Sequence, residues 1–530
     1  MFKRAKGVTR AGCAFFLVGI AGVTLSVTTP AVAQERTASS QTFGLADGGV
    51  ARAIEGRARG SIKEFYESRG FRPLWISGRE LNPAASHFLT IIDNAEVDGL
   101  DATDYRPERL QKLIERAASG NPKALAEVEL RLSREFVRLV QDMRRPRLEM
   151  HYADDDVRPQ SIPDDEVLRR ASLATSFPAY VANMQWMHPF YVGLRQQLIA
   201  ARSYSGLPQL EIPAGPVMRE GDHGNRVSLL RRRLGLAASG GFDEELAQAV
   251  RSFQAAQGLE PDAVVGPRTL AVLNRVGVRR HAGPSEQKLL QVNLERARLL
   301  PDAWTKHVVV NAASAQLAYY GEGEEQGTMK VVVGTPRTPT PMMAGMIRYA
   351  TLNPYWNLPV DLSASLIAPR VLAGNSLSKM GYEVLSDWTA EAKVIDPATV
   401  DWKRVAAGDI TARVRQLPGA NNSMGDVKFM FPNDLGIFLH DTPNRALFNE
   451  PARQFSNGCV RLEDADRLGT WLFGSELKAD TREPEQHRHL PNAVPVYLTY
   501  LTAVPTGHEL AYFSDVYSRD RDGGAQLASR

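Results

Sequence analysis

Cys459 lies in the stretch RQFSNGCVRLED, residues 453–464, and Cys13 is the other of the two cysteines in the sequence. A cysteine attacks as its thiolate, so it needs a base in reach to take its proton and later return one to a leaving amine. His440 has the right type and spacing for this: it ends the apolar run Gly436-Ile437-Phe438-Leu439-His440, 19 residues before Cys459. Gly458 allows a tight turn, so that the amide of Cys459 and a neighbouring amide can face a developing oxyanion. A loosely spaced His and Cys fits an inert, packed thiol as well, because free cysteine buries like a small hydrophobe. His487 and His489 in EPEQHRHLP have ligand-like spacing but no acidic or Cys partners, and read as a solvated loop. Asp154, Asp155 and Asp156 near His151 lack the fuller ligand series of a calcium loop. No metal and no cofactor is therefore expected.

A single working thiol makes sense in an oxidising compartment, and the N-terminus predicts one. Lys3, Arg4, Lys6 and Arg10 precede an apolar stretch that ends at Ala31-Val32-Ala33 before Gln34, the pattern of an export signal. No Arg pair precedes the apolar stretch and Cys13 does not follow a cleavable one, which argues against twin-arginine export and a lipid anchor. An uncleaved signal would leave a membrane-anchored form. The net charge of +3 falls to nearly neutral once those four bases are removed, so charge gives no support to a nucleic-acid partner. The expected location is the periplasm.

The elements that must position the pair come next. Residues 34–60 are small, polar and Gly-rich and predict a flexible spacer. A helical scaffold is expected over 61–210. Its longest helix starts at Asn121-Pro122, and Leu125, Val128, Leu132, Phe136, Leu139, Val140 and Met143 form one buried stripe. Residues 211–275 predict a three-helix module, its helices opened at Asp222, Asp243 and Gly266-Pro267. A helical connector follows over 276–303. From 304 to 503 the period becomes strand-like, at Val308–Val310, Gln316–Tyr320, Lys330–Val333, Ile347–Leu352, Lys428–Phe431, Gly436–His440 and Val494–Tyr500. An insertion over about 360–425 reads as a lid. There Trp402 and Trp388 are expected mainly to hold the lid together, while Trp356 could equally line a substrate groove or pack as a core aromatic. A tail over 504–530, disordered from Arg519, completes the chain. The fold class expected is multidomain α+β.

Two strings carry a resemblance. GDHGNRVSLLRRRLGL and FDEELAQAVRSFQAAQGLEPDAVVGPRTLAVLN resemble the peptidoglycan-binding domain of bacterial wall enzymes. HDTPNRALFNEPARQFSNGCVRLED resembles the active-site motif of the L,D-transpeptidase (YkuD) catalytic domain, and VVVG at 331–334, LNPYWNLP at 352–359 and RQLPGANNSMGDVKFMFPN at 415–433 extend the match. FYESRGFRPLW and VDGLDATDY are similar to the helical scaffold of the large periplasmic members. The resemblance implies that Cys459 is the nucleophile and His440 the general base and acid. Cys459 would form an acyl-enzyme on a tetrapeptide stem with loss of terminal D-Ala, and the product would be a 3→3 crosslink. It also implies support for substrate or oxyanion from Ser456, Asn457, Gly458 and Arg461. Stem peptides and glycan strands would be partners, as could other wall-synthesis proteins, and carbapenem β-lactams would be inhibitors. Asn457 departs from the His usual in the family, and an amide cannot titrate. Strand geometry turns the Asp441 side chain away from His440, so a backbone carbonyl is expected to orient the imidazole. Two alternatives stay open: hydrolysis of the same stems by a carboxypeptidase or endopeptidase, and a non-catalytic peptidoglycan-binding scaffold.

Overall fold

The computed structural model describes residues 47–203, 211–256, 259–278, 284–507 and 509–521. The expected signal peptide, the spacer up to residue 46 and the tail beyond residue 521 lie outside the described residues. The helical part opens with α1 (Asp47–Arg57), α2 (Gly60–Ser68), the two-residue strands β1 (Ile76–Ser77) and β2 (Glu80–Leu81), α3 (Pro83–Asp93) and α4 (Pro107–Ala117). It continues with α5 (Pro122–Arg144), β3 (His151–Tyr152), α6 (Asp164–Leu173), α7 (Phe177–Ala182) and α8 (Pro189–Ser203). α1 corrects the spacer expectation. Val50, Ile54 and Ala58, four residues apart, are buried and join the scaffold core despite the glycines around them.

α5 organises this core. Asn121 accepts hydrogen bonds from the amides of Lys123 and Ala124, a cap that contributes about 1 kcal/mol. The expected apolar stripe is buried along its length. Its Phe136 packs with Trp75, Phe88, Phe177 and Trp186 in a cluster of tilted and edge-to-face contacts, with centroids 4.8–5.6 Å apart in the Trp75–Phe88, Trp75–Phe136, Trp75–Phe177 and Phe136–Trp186 pairs. The same helix buries Glu129, which accepts from Tyr66 Oη at 2.5 Å and from the Leu74 and Trp75 amides. Burial pushes its carboxyl up to about 7, against the pull of these donors.

The three-helix module consists of α9 (Asn225–Arg233), α10 (Glu244–Ala256) and α11 (Pro267–Val278), with its own core around Leu230, Phe242, Leu246, Val250, Phe253 and Leu273. Asp243 caps α10 through the Leu246 amide and pairs with Arg231 at 2.7 Å. Asp222 is not a cap: Gly224 holds that position at α9, and Asp222 accepts from the Arg219 amide.

α12 (Pro284–Arg298) leads into the β domain and shares the scaffold core through Leu290, Leu294 and Ala297. Its Arg298 guanidinium is fully buried, pairs with Glu295 at 2.6 Å and donates to the carbonyls of Met143 and Asp98. Asp98, buried in turn, pairs with Arg195 at 2.9 Å and accepts from Tyr191 Oη at 2.6 Å.

The β domain contains β4 (His307–Asn311), β5 (Gln316–Gly321), β6 (Glu324–Gly334), β7 (Met343–Leu352), then β12 (Val427–Met430), β13 (Leu439–His440), β14 (Gln454–Ser456), β15 (Val460–Leu462) and β16 (Gln486–Thr499). Between β7 and β12 lie β8 (Trp356–Asn357), β9 (Tyr382–Leu385), β10 (Val394–Ile395) and β11 (Arg413–Gln416). The main sheet runs β12-β13-β15-β6-β5-β4-β16-β7, and β12 also pairs with β7, so the ring closes into a barrel. β3 extends it parallel to β7, and β14 pairs with β6. Alternate residues fill the interior, among them Val331, Val333, Ala350, Phe429, Leu439, Val460 and Leu498. α16 (Ala465–Phe473) contributes Leu468 and Leu472 to that core.

The expected insertion forms a layer of its own. β10-β9-β11-β8 make a four-stranded sheet that packs on α13 (Val360–Leu362), α14 (Ala368–Leu372) and α15 (Trp402–Ala407). Trp402 is buried there and donates to the Pro397 carbonyl at 2.8 Å, whereas Trp388 is 56 % exposed. Two further expectations are corrected. His487 and His489 lie on β16 beside Thr351 and Tyr349 of β7, paired by main-chain bonds and not in a loop. The described tail residues are structured: β17 (Ala503–Thr506) pairs with β18 (Glu509–Tyr512), and Asp520 pairs with Arg296 at 2.6 Å.

Asp98→Ala leaves the buried Arg195 without its carboxylate. A loss of about 3–5 kcal/mol is expected, read as an earlier urea midpoint for the buried Trp75 and Trp186 fluorescence.

Candidate active site

The parallel pairing of β13 with β15 sets Leu439 against Val460 and His440 against Arg461. Leu439 and Val460 point into the barrel, so the residues on either side of them face outward. One step back along both strands, Cys459 lies beside Phe438. His440, Arg461, Phe438 and Cys459 therefore share one outer face, and the structure brings together the two residues whose types suggested chemistry.

Each is held by the backbone. His440 is buried and its Nδ1 lies 2.6 Å from the Asp441 carbonyl. A carbonyl can only accept, so Nδ1 carries the hydrogen and the Nε2 lone pair is left to act as a base. Strand geometry predicts this arrangement. The Asp441 side chain is occupied elsewhere, accepting from the Asp426 amide at 3.0 Å and pairing with Arg445 at 2.7 Å. Cys459 is half-buried, and its Sγ points at the Gly436 carbonyl, 3.6 Å away.

The loop before Cys459 is fixed from both sides. Ser456 Oγ donates to the Cys459 carbonyl at 2.6 Å and accepts from the Gly458 amide at 3.1 Å. Thr340 Oγ1 donates to the Gly458 carbonyl at 2.8 Å. Arg519, from the segment expected to be disordered, donates to the Thr340 carbonyl at 3.0 Å, and Tyr517 Oη to the Gly334 carbonyl at 2.6 Å. Gly458 has φ 113°, a backbone conformation that favours glycine, and a Cβ there would also press on Ile437 Cδ1 at 3.2 Å. Since the Gly458 amide is taken by Ser456, it is not an oxyanion donor in this geometry.

The remaining expected residues fall into place differently. Asn457 is exposed at the loop tip. Arg461 is partly buried, and its Nε has no partner. Trp356 pairs with Gln416 and packs on the insertion core, and none of its described contacts reaches Cys459. Asp154 pairs with Arg348, and His151 with Asp434 at 2.9 Å.

Sequence reasoning missed Lys428. Across the strands, His487, Thr351, Lys428, His440 and Arg461 are successive partners in one row. Lys428 is thus on the same face as the Cys/His pair, on the far side of His440 from Arg461. A lone cation inside the apolar string VKFMF was the signal available for it.

Burial pushes His440 down to about 3, helped by the charges of Arg461 and Lys428 and opposed by the Asp441 and Met424 carbonyls. Burial also pushes the Cys459 thiol up, against the Phe438 amide and the same two cations. Both directions favour a resting pair of neutral thiol and neutral imidazole, in which the thiolate forms as the proton moves to His440 during attack. This differs from a preformed ion pair.

Comparison with known proteins identifies the parts. Residues 305–473 match the L,D-transpeptidase catalytic domain (YkuD), residues 60–198 a scaffold domain, and residues 225–273 a family described as "Putative peptidoglycan binding domain". Along the chain the matches run in the order scaffold domain, putative peptidoglycan-binding domain and L,D-transpeptidase catalytic domain. A curated relative from Haemophilus influenzae, "Putative L,D-transpeptidase", is 33 % identical over 240 residues, which is 44 % of this chain and 48 % of that protein. The match thus spans about half of the relative's length. An L,D-transpeptidase structure from Xylanimonas cellulosilytica is 19 % identical, covering 54 % of this chain and 98 % of that one, with a TM-score of 0.17. One from Mycobacterium smegmatis is 13 % identical, covering 36 % and 58 %, with a TM-score of 0.18. At such scores neither structure adds to what the geometry shows.

Because His440 is already neutral above about pH 3 and the thiol stays protonated into the alkaline range, alkylation of Cys459 by iodoacetamide is expected to rise with pH beyond the ordinary thiol range. No inflection is expected near 6.5, and one found there by mass spectrometry would contradict the neutral pair. Gly458→Ala is expected to shift the nucleophile and lower turnover roughly 100-fold, with the far-UV spectrum unchanged.

Proposed function

We propose that this chain is an exported L,D-transpeptidase that crosslinks peptidoglycan stem peptides in the periplasm, contributing to wall biogenesis and cell shape. The observation that best supports this is the Cys459 thiol on one sheet face with an imidazole whose lone pair is oriented by the Asp441 carbonyl. Cys459 Sγ attacks the carbonyl between the diamino acid and D-Ala of a tetrapeptide stem while His440 Nε2 takes the thiol proton. The Cys459 amide is the loop's donor to the oxyanion, since the Gly458 amide is occupied. His440 then gives its proton to the leaving nitrogen, D-Ala departs, and a thioester remains. The side-chain amine of a diamino acid on a second stem attacks the thioester and loses a proton to His440. The thiolate leaves and is reprotonated, and the product is a 3→3 crosslink.

The half-buried thiol also suits acylation by carbapenem β-lactams, whose strained amide presents the same kind of carbonyl. The three-helix module would hold glycan strands near the site.

The test uses disaccharide tetrapeptide with the purified chain, followed by mass spectrometry. The expected product is a dimer lighter than two substrates by one D-Ala, absent with Cys459→Ala and reduced about 10²–10⁴-fold with His440→Ala. Tripeptide without dimer would assign the chain to hydrolysis instead, and unchanged tetrapeptide would argue for a binding role. A carbapenem is expected to add its mass to the wild type and not to Cys459→Ala.

A further inference from the structure

Lys428, like Arg461, is a cation on the active face that the acyl-transfer chemistry above does not use. Its side chain is 11 % exposed and its Nζ lies 3.5 Å from Glu485 Oε1, an oxygen that already accepts from the Tyr355 amide at 2.8 Å. The Phe438 ring lies 5.8 Å away on another side. An ammonium with three donors taken this far out of water is poorly compensated by one long contact to a shared oxygen. Such a cation is poised for a second anion.

Its place in the sheet says which anion. Cys459 immediately precedes β15, His440 belongs to β13 and Lys428 to β12, and these three neighbouring strands lie about 4.8 Å apart. The carbonyl under attack lies over Cys459. The leaving nitrogen must lie toward His440, because His440 Nε2 protonates it. A carboxylate one carbon beyond that nitrogen then extends past His440, toward β12. Arg461, on the strand of the nucleophile, lies on the opposite side of His440 and faces the acyl half of the substrate.

We propose that Lys428 binds the free carboxylate of the leaving residue, so that this site selects peptides whose scissile bond is the last one in the chain. The inference rests on the transpeptidase reading and sharpens it: the cation supplies the rule that the departing group is a single C-terminal amino acid. Binding replaces the long Glu485 contact with a charge-assisted hydrogen bond. No covalent change at Lys428 is involved.

The experiment compares kcat/KM for disaccharide tetrapeptide with that for the same donor ending in a carboxamide, following D-Ala or D-Ala amide release by mass spectrometry with the full chain. The wild type is expected to prefer the acid by roughly 10- to 100-fold. Lys428→Gln should lose that preference, chiefly by slowing the acid, and Lys428→Arg should keep most of it. A Lys428→Gln enzyme that retains the ratio, or that loses acid and amide turnover equally, overturns the proposal. So does a wild-type ratio near one, a readout that needs no variant to fold. Wild-type turnover of neither donor would instead overturn the transpeptidase reading, and this inference with it.

Discussion

The site depends on the register of two very short strands. Leu439 against Val460 is the pair that faces the core, and that pairing sends His440, Arg461 and Cys459 to the other face. Side-chain direction alternates with period two, so a slip of one residue would turn the imidazole into the barrel and Leu439 out of it. The register is therefore protected by the same apolar burial that holds the domain together. Val331, Phe429 and Leu468, all buried in this core, help fix the position of the reacting groups from beneath the sheet.

Around that register the groups that hold His440 and Cys459 directly are backbone carbonyls and hydroxyls, not charged side chains. A carbonyl sets the His440 tautomer, and the Ser456 and Thr340 hydroxyls hold the carbonyls on either side of Cys459 Cα. Main-chain partners cannot titrate, so the geometry they impose is the same at any pH at which the fold persists. The charges nearest the pair, Arg461 and Lys428, stand on neighbouring strand positions, where they shape the field without bonding to either ring or thiol in the described contacts.

Much of this was legible in the sequence, and what was not has a common cause. The Asn121 cap and the α5 stripe are local patterns and survive folding intact. Cys459 and His440 were legible because the motif around them is long. Barrel closure was not, since the β7–β12 pairing joins residues separated by the whole insertion, and no local period reports it. Val50 and Ile54 were hidden by glycines that dilute the stripe, and the β16 histidines by Pro484 and Pro491 on either side. Lys428 was illegible because alternation along β12 marks it as facing away from the core, which on most strands means facing water. Here that face is covered, with Thr351 and His440 beside it both buried.

The insertion leaves the barrel after Leu352 and returns at Val427, two residues that are direct partners in the sheet. Its ends are thus clamped side by side whatever lies between them. The entropy of closing such an excursion grows only with the logarithm of its length, and its core of Leu358, Ile367, Val384, Trp402 and Val414 is its own. The segment can be shortened, lengthened or exchanged as a cassette with little effect on the stability of the barrel beneath. That separates two kinds of sequence change: those confined to the added layer, and those that would dismantle the barrel surface carrying the thiol.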